Sequence, residues 1–458
     1  MAERKGIDRL PRAMRLEPAP RPLSILFLYS RLPLPMTTGD ELTVAHLLEF
    51  LHARGHRVDF VTLASNRPKL APEHEAWLQS RCRRLEILPH DRLGGLLQAA
   101  RGWLRGWPAQ IGYLYSPAQL ARTRELLDRQ PYDLAYAYYV RSAEALKLAK
   151  MRVATTFLAL QLSQTLNTRR LSETAASWPE RLFYRLESRR MGRYEARIWH
   201  PFTRTVLIGE KDREAIAAMC REQGLPEIDN VVFGPHGVDT ERFAPRDPDL
   251  EEPATVVMSG VMRYAPNVEA ALWLLREVWP RIRAARPEAK LYLVGRDPVP
   301  ALRGFDGEAG VTVTGTVPDP GDYMARATVC VAPIRAAAGL QNKLLEYMAM
   351  GRAVVATPVA NEGIAARPGR ELLLADTPET FAEAILSLLD DADRRRRLGA
   401  AARRFVLERW TWEGPFLALE AAFYEALGER PKEGDGTIGP AKEAPDPATP
   451  SPLAGAGS

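Results

Sequence analysis

LSILFLYSRLPLPMTTGDELTVAHLLEFLHARGHRVDFVTLA, residues Leu23 to Ala64, is the stretch whose reading decides the fold. Its first run, Leu23 to Ser30, is short and apolar, as a strand buried on both faces of a parallel sheet must be. A Pro/Gly loop follows from Leu32 to Asp40. The next segment, Glu41 to Arg54, places Leu42, Ala45, Leu48 and Leu51 at helical spacing, and Gly55 closes it as a C-terminal cap would. Arg57 to Ala64 returns as a second strand. Strand, loop, helix, strand is one right-handed βαβ unit.

Working outward, further strands are expected at Leu134 to Val140, Val206 to Ile208 and Val231 to Phe233. The acidic, proline-marked stretch Ala244 to Pro253 reads as an interdomain linker. A second series opens at Thr255 to Gly260. Its helix is expected from Val268 to Ala285, and strands at Lys290 to Val294, Val311 to Thr314, Val329 to Pro333 and Ala353 to Ala356. Two parallel-sheet α/β domains in tandem follow. The expected division is a flexible extension over 1–22, a first domain over 23–243, the linker over 244–253, a second domain over 254–405 and a C-terminal helix over 406–428. The tail 429–458 lacks apolar residues and is expected to be disordered.

The 458 residues suffice for two cores. No run approaches the roughly 18 apolar residues of a membrane-spanning helix. The basic start, Met1 to Arg21, has no apolar centre of the secretory kind. Cys82, Cys220 and Cys330 are too dispersed for a disulfide framework or metal cluster and suit a reducing cytoplasm. His52 and His56 stand four apart, but Gly55 makes that stretch a helix end rather than a zinc site.

The net charge of +5 fits an arginine-rich solvated surface, or attraction to phosphate-bearing ligands and anionic lipid. No nucleic-acid reader motif is present, so nucleic acid is not an expected partner. Arg101 to Trp107 mixes arginine with tryptophan, as interfacial segments do. Glu180 to His200 carries Arg181, Arg185, Arg189, Arg190, Arg193 and Arg197 on an expected helix. It is either a solvated helix with Leu182, Leu186 and Tyr194 as its core face, or a peripheral contact for anionic membrane.

Chemistry concentrates further on. Pro333-Ile334-Arg335 ends a strand, Ala336 to Gly339 is a small-residue loop, and a helix begins near Leu340. A helix N-terminus offers aligned N–H donors and partial positive charge to a diphosphate, and Gly339 lets the chain approach one closely. Lys343 and Glu346 follow one turn apart on nearly the same face. Alone, the same residues could form a helix cap with a surface ion pair, worth about 0–1 kcal/mol. Asp247-Pro248-Asp249, the one Asp-x-Asp, sits in the linker and reads as solvated loop rather than a metal site.

VAPIRAAAGLQNKLLEYMAMGRAVVATPVANEG, residues Val331 to Gly363, carries a Pro-x-Arg, a Gly-x-Gln-Asn-Lys and a downstream Glu. Supporting pieces are GPHGVDTERFAP (Gly234 to Pro245), SGVMRYAPNVEA (Ser259 to Ala270), LYLVGRDP (Leu291 to Pro298) and VTVTGTVPD (Val311 to Asp319). In this order the five resemble the family-4 retaining glycosyltransferases of the GT-B fold, especially a branch linked to exopolysaccharide assembly, over roughly Leu23 to Leu427.

The resemblance implies two Rossmann-like domains facing across a cleft, with a C-terminal helix crossing back to the first. It implies that Arg335 and Lys343 neutralise the departing diphosphate and that Glu346 accepts from the nucleotide ribose. Backbone groups of Gly339, Leu340 and Gln341 would hold the distal phosphate and sugar, with Asn342 beside them. Val313 to Val317, including Gly315, would meet the base, and Gly39 would face the diphosphate from the first domain. Gly260, Arg263 and Gly295 complete the expected donor site.

Departures accompany it. Ala338 stands where many members have a sugar-binding Glu, and Val261 where an Arg follows the glycine, with Arg263 nearby. No histidine falls near Tyr136 to Arg141. The implied reaction moves a sugar from a nucleotide-sugar to a glycan or lipid-linked acceptor, with no cofactor and no metal, in the cytoplasm or at the inner face of the plasma membrane. A nucleotide-sugar epimerase of the same fold, or a non-catalytic binding protein, are the alternatives.

Overall fold

The computed structural model describes residues 10–36, 38–65, 70–149, 152–174, 177–234, 236–335 and 340–429. Gly339, Ala338 and the tail from 430 onward therefore lie outside the described residues.

Among the described residues, thirteen strands form two parallel sheets. The first holds β1 (Ser24–Tyr29), β2 (Arg57–Ser65), β3 (Arg84–His90), β4 (Leu134–Tyr138), β5 (Thr156–Gln161), β6 (Arg204–Leu207) and β7 (Val231–Phe233). The second holds β8 (Thr255–Ser259), β9 (Lys290–Val294), β10 (Val311–Gly315), β11 (Val329–Ala332), β12 (Val354–Ala356) and β13 (Leu373–Leu374). The orders are β3-β2-β1-β4-β5-β6-β7 and β10-β9-β8-β11-β12-β13. Each order reverses beside its first strand, between β1 and β4 and between β8 and β11. Loops leave in opposite directions there and open a crevice at the carboxyl ends of the strands.

All six residues of β1 are buried, as the opening apolar run requires. β1 meets β2 from Ser24 on Arg57 and β4 from Ile25 on Leu134. The helix Gly39–Ala53 starts two residues earlier than expected, because Glu41 reaches back to accept from the Thr38 N–H at 3.1 Å.

The final helix, Glu413–Ala426, crosses back to the first sheet. Trp412, Phe416, Leu419 and Phe423 are buried in the first-domain core, and the Phe423 ring lies edge-on to Phe157 at 4.8 Å. At about 1.5–3 kcal/mol per large apolar side chain, their burial contributes on the order of 6–12 kcal/mol as an upper bound. The crossover is also locked by charge. Glu420 accepts from Arg54 through Nε at 2.9 Å and Nη2 at 2.8 Å, and from His56 Nε2 at 2.7 Å. His56 Nδ1 accepts from the Leu23 N–H at 2.9 Å, which places the ring proton on Nε2.

Three segments differ from expectation. The amino-terminal extension packs against the first domain from Leu10 onward. Met14 N–H donates to Glu49 at 3.1 Å, Arg54 Nη1 donates to the Glu17 carbonyl at 2.6 Å, and Ala19 is buried. The linker is pinned to the second domain by Arg246 on Asp319, Glu251 on Arg352 and Arg395, and Glu252 on Arg326. Within it, Asp247 accepts from the Asp249 N–H at 3.0 Å and caps a short turn. Finally, Leu182 and Leu186 are exposed, so only Tyr194 of their expected core face is buried.

Candidate active site

A cavity of about 470 Å³ lies between the domains, lined by carboxyl-end loops of both sheets. Met36, Thr38 and Gly39 come from the loop after β1. Ser259, Gly260 and Val261 come from the end of β8 and the loop after it, Val294, Gly295 and Arg296 from the end of β9 and the loop after it, and Thr316 and Val317 from the turn after β10. Leu340 and Gln341 immediately precede the helix Asn342–Ala349, which itself supplies Asn342, Lys343 and Glu346.

Two helix starts meet here. A methyl group placed on Gly39 would lie 3.7 Å from Asn342 Nδ2, so the first turn of one domain's helix touches that of the other. Both positive dipole ends therefore face one volume, which favours an anion. Asn342 is fixed from behind by His236, whose Nε2 lies 2.6 Å from Asn342 Oδ1. Burial pushes the His236 ring down to about 4, against the pull of that hydrogen bond, so the ring is neutral near pH 7.

Lys343 is buried at the cavity floor, and its Nζ donates to Asn267 Oδ1 at 2.5 Å. Burial pushes its ammonium down to about 8, with Glu346 pulling the other way. Only one of its three donors is taken by a protein hydrogen bond among the described residues. Glu346 is pushed above the ordinary carboxylate range by burial, opposed by Arg242 and Lys343. Among the described residues its carboxylate has no hydrogen bond or ion pair. An acceptor left open beside cations calls for a hydroxyl-bearing ligand.

Two glycines bring β8 and β9 into register beneath the ligand space. Gly295 has φ +149°, and a Cβ there would sit 1.7 Å from the Gly260 carbonyl oxygen. A Cβ on Gly260 would sit 2.7 Å from Asn267 Nδ2 and 3.3 Å from Lys343 Nζ. Gly295→Ala is therefore expected to cost about 2 kcal/mol or more from clash and backbone strain. Gly414→Ala, with open space around it in a helix, is expected to gain up to about 1 kcal/mol. Urea unfolding of both variants checks the difference in sign.

The structure brings Gly39, Gly260, Gly295, Val317, Leu340, Gln341, Asn342, Lys343 and Glu346 together. Gly315 has φ +67° and turns the chain toward the cavity without lining it. Arg263 is exposed and lies 3.5 Å from Asp297, outside the lining. Arg335 is also outside it, half-exposed, 3.7 Å from Glu269 and over the Trp273 ring at 5.7 Å. The guanidinium groups that do line the cavity are Arg242 and Arg296. Sequence reasoning gave no role to Arg242, Asn267 or His236, although all three fall inside the quoted motifs. Their only sequence signal was a place in a motif, since each acts across a long chain separation.

With this geometry in view, similarity to known proteins is informative. Residues 253–391 match the family model described as glycosyl transferases group 1. A 44.6 kDa Klebsiella pneumoniae protein of the cps region is 22% identical over 403 residues, covering 84% of this chain and 96% of that protein. A Corynebacterium glutamicum GDP-mannose-dependent monoacylated alpha-(1-6)-phosphatidylinositol monomannoside mannosyltransferase is 29% identical over 199 residues, 39% of this chain and 52% of that enzyme. Among solved structures, sucrose-phosphate synthase from Thermosynechococcus elongatus superposes with a TM-score of 0.63 at 18% identity, covering 89% of this chain and 99% of that one. The two facing parallel-sheet domains and the returning helix are the GT-B fold, and the chain is a glycosyltransferase.

Proposed function

We propose that the chain transfers a sugar, with retention of anomeric configuration, from a nucleotide-sugar to a glycan or lipid-linked acceptor in cell-envelope or exopolysaccharide synthesis. The observation that carries the donor is the pairing of Lys343 with the open carboxylate of Glu346 at two converging helix starts. The Lys343 ammonium and the N–H groups of Gln341 and Asn342 hold the diphosphate, while Glu346 accepts from the ribose. Departure of a nucleoside diphosphate needs charge stabilisation more than covalent help, and aimed cations and dipoles supply it. Arg242 and Arg296 add charge to the same space. Lys343 with these arginines supplies the cationic charge.

The similar cps-region protein and phosphatidylinositol monomannoside mannosyltransferase support an envelope glycan as product. No described helix is long and apolar enough to cross a membrane. Heating the protein with UDP, GDP or ADP tests the donor half of the reading. One nucleotide is expected to raise the melting temperature in proportion to the logarithm of its concentration, about 2.7 kcal/mol at a hundredfold excess over Kd. No shift with any of the three sinks the donor site. Product analysis then decides retention, and an inverted anomer overturns that part.

A further inference from the structure

The helix Arg92–Leu104 follows β3, and the helix Trp178–Ile198 is the return arm of a hairpin that leaves β5 at Gln164. Both hold apolar side chains in water at helical spacing. On the first, Leu93 is 80% and Leu104 83% exposed, with Leu96 and Leu97 exposed between them. On the second, Trp178 at 74%, Leu182 and Leu186 recur every fourth residue, with Phe183 beside them. The inward positions of that helix are already taken by Glu187, Met191, Tyr194 and Ile198.

The two helices form one face. Arg190 donates to the Trp103 carbonyl at 2.8 Å and stacks its guanidinium 4.0 Å from the Trp103 ring centre. Glu187 accepts from the Ala109 and Gln110 N–H groups at 3.0 and 3.2 Å. Gln110 then accepts from Arg141, just beyond β4, at 3.4 Å. The face therefore adjoins the carboxyl ends of the first-domain strands, the edge on which the cleft opens.

Alongside the apolar row is a hollow of about 610 Å³ lined by Arg169, Arg181, Arg185, Arg189 and Arg193 against the single carboxylate of Glu222. Among the described residues, Arg185, Arg189 and Arg193 form no side-chain ion pair. Leucine and tryptophan gain by leaving water, while guanidinium groups gain by meeting phosphates. The two needs are met together at the boundary of an anionic bilayer. A second copy of this chain would bring like charges face to face.

We propose that this face docks on an anionic phospholipid bilayer and so holds the first-domain side of the cleft at the lipid surface. The docking rests on its own residues, none of which lines the donor cavity.

The test is sedimentation of the full chain with vesicles of phosphatidylglycerol and phosphatidylcholine, compared with phosphatidylcholine alone. The protein is expected to pellet with the anionic vesicles and to be released by high salt. Arg185→Glu/Arg189→Glu is expected to lower vesicle affinity about 25-fold or more, at roughly fivefold for each charge removed. Leu96→Ser/Leu97→Ser and Trp178→Ser/Leu182→Ser should each lower it at least about tenfold, from the apolar area lost. All three variants should keep the nucleotide-induced thermal shift of the parent chain, which separates this proposal from the donor-site reading. The proposal is overturned by wild-type protein that stays in solution with anionic vesicles, or by equal binding to neutral ones. Apolar-row variants that bind unchanged also overturn it, as does self-association in solution that those variants abolish.

Discussion

Lys343→Ala is expected to lower donor turnover by about 100- to 1,000-fold, the range for removing one preorganised stabiliser of developing charge. Lys343 has no surface role to lose, since its ammonium is buried and aimed between Asn267 and the cavity. Lys343→Met keeps the stem and should fold at least as well as the parent, because it removes a charge held at a burial cost. Its loss of turnover would then be chemical. Glu346→Ala is expected to reduce kcat/KM about 10- to 100-fold through the lost ribose contact. Arg335→Ala, at an exposed pair outside the lining, is expected to change turnover less than about threefold. Wild-type activity in both Lys343→Ala and Glu346→Ala removes the site assignment, and a large loss in Arg335→Ala returns that residue to it.

The same lysine sets a pH dependence. Its ammonium titrates near pH 8 in the empty cavity, and a bound diphosphate favours the charged form. Nucleotide affinity should therefore be level below about pH 8 and fall by up to about tenfold per unit above it. Without ligand the direction reverses. The native state holds the proton more weakly than the unfolded chain, so this group adds stability as pH rises from about 8 toward 10.5. Isothermal titration with the stabilising nucleotide at pH 7, 8 and 9 measures the first effect, and denaturant unfolding over the same range measures the second. Affinity that rises above pH 8 would exclude Lys343 as the diphosphate cation.

Glu420→Ala is expected to destabilise the protein by about 3–5 kcal/mol, the cost of leaving a buried ion pair without one partner. Arg54 would lose both of its carboxylate bonds, and His56 would lose the acceptor for its Nε2 proton. The deficit should narrow in acid. Burial raises the Glu420 carboxyl, but the hydrogen bonds from His56 and Arg54 outweigh it and hold it below its ordinary value. Its contribution is thus present above about pH 4.5 and lost as pH falls through the depressed folded value. Denaturant unfolding at neutral pH and near pH 3 reads both. Because the helix Glu413–Ala426 belongs to the second half of the chain and packs on the first domain, the variant should also separate the domains' unfolding.

Regular parts of the fold were legible because their pattern is local. β7 and β9 have the expected bounds, and β1 lies within one residue of them, since an apolar run between turn residues needs nothing distant to define it. β3 and β5 were not resolved from sequence. Pro89 breaks the apolar pattern of β3 without ending the strand, and β5 is told from a helix by its ladders with β4 and β6. The extension before Leu23 looked unstructured because its anchors, Glu49 and Arg54, lie more than thirty residues away.

The site divides in the same way. By itself the sequence determined the Lys343–Glu346 spacing, the glycines at 39, 260 and 295, and the βαβ grammar that ends each strand in a loop. Those depend on helical periodicity and backbone sterics, which neighbouring residues set. Which cations line the cavity was decided only by tertiary structure. The family resemblance implied a role for Arg335, yet it turns to Glu269 and Trp273, while Arg242, Arg296 and the helical Asn267 reach the cavity from positions 47 to 101 residues away in sequence from Lys343. A side chain's direction follows from the packing of its surroundings, and the two switch points bring those surroundings together only after both sheets have formed.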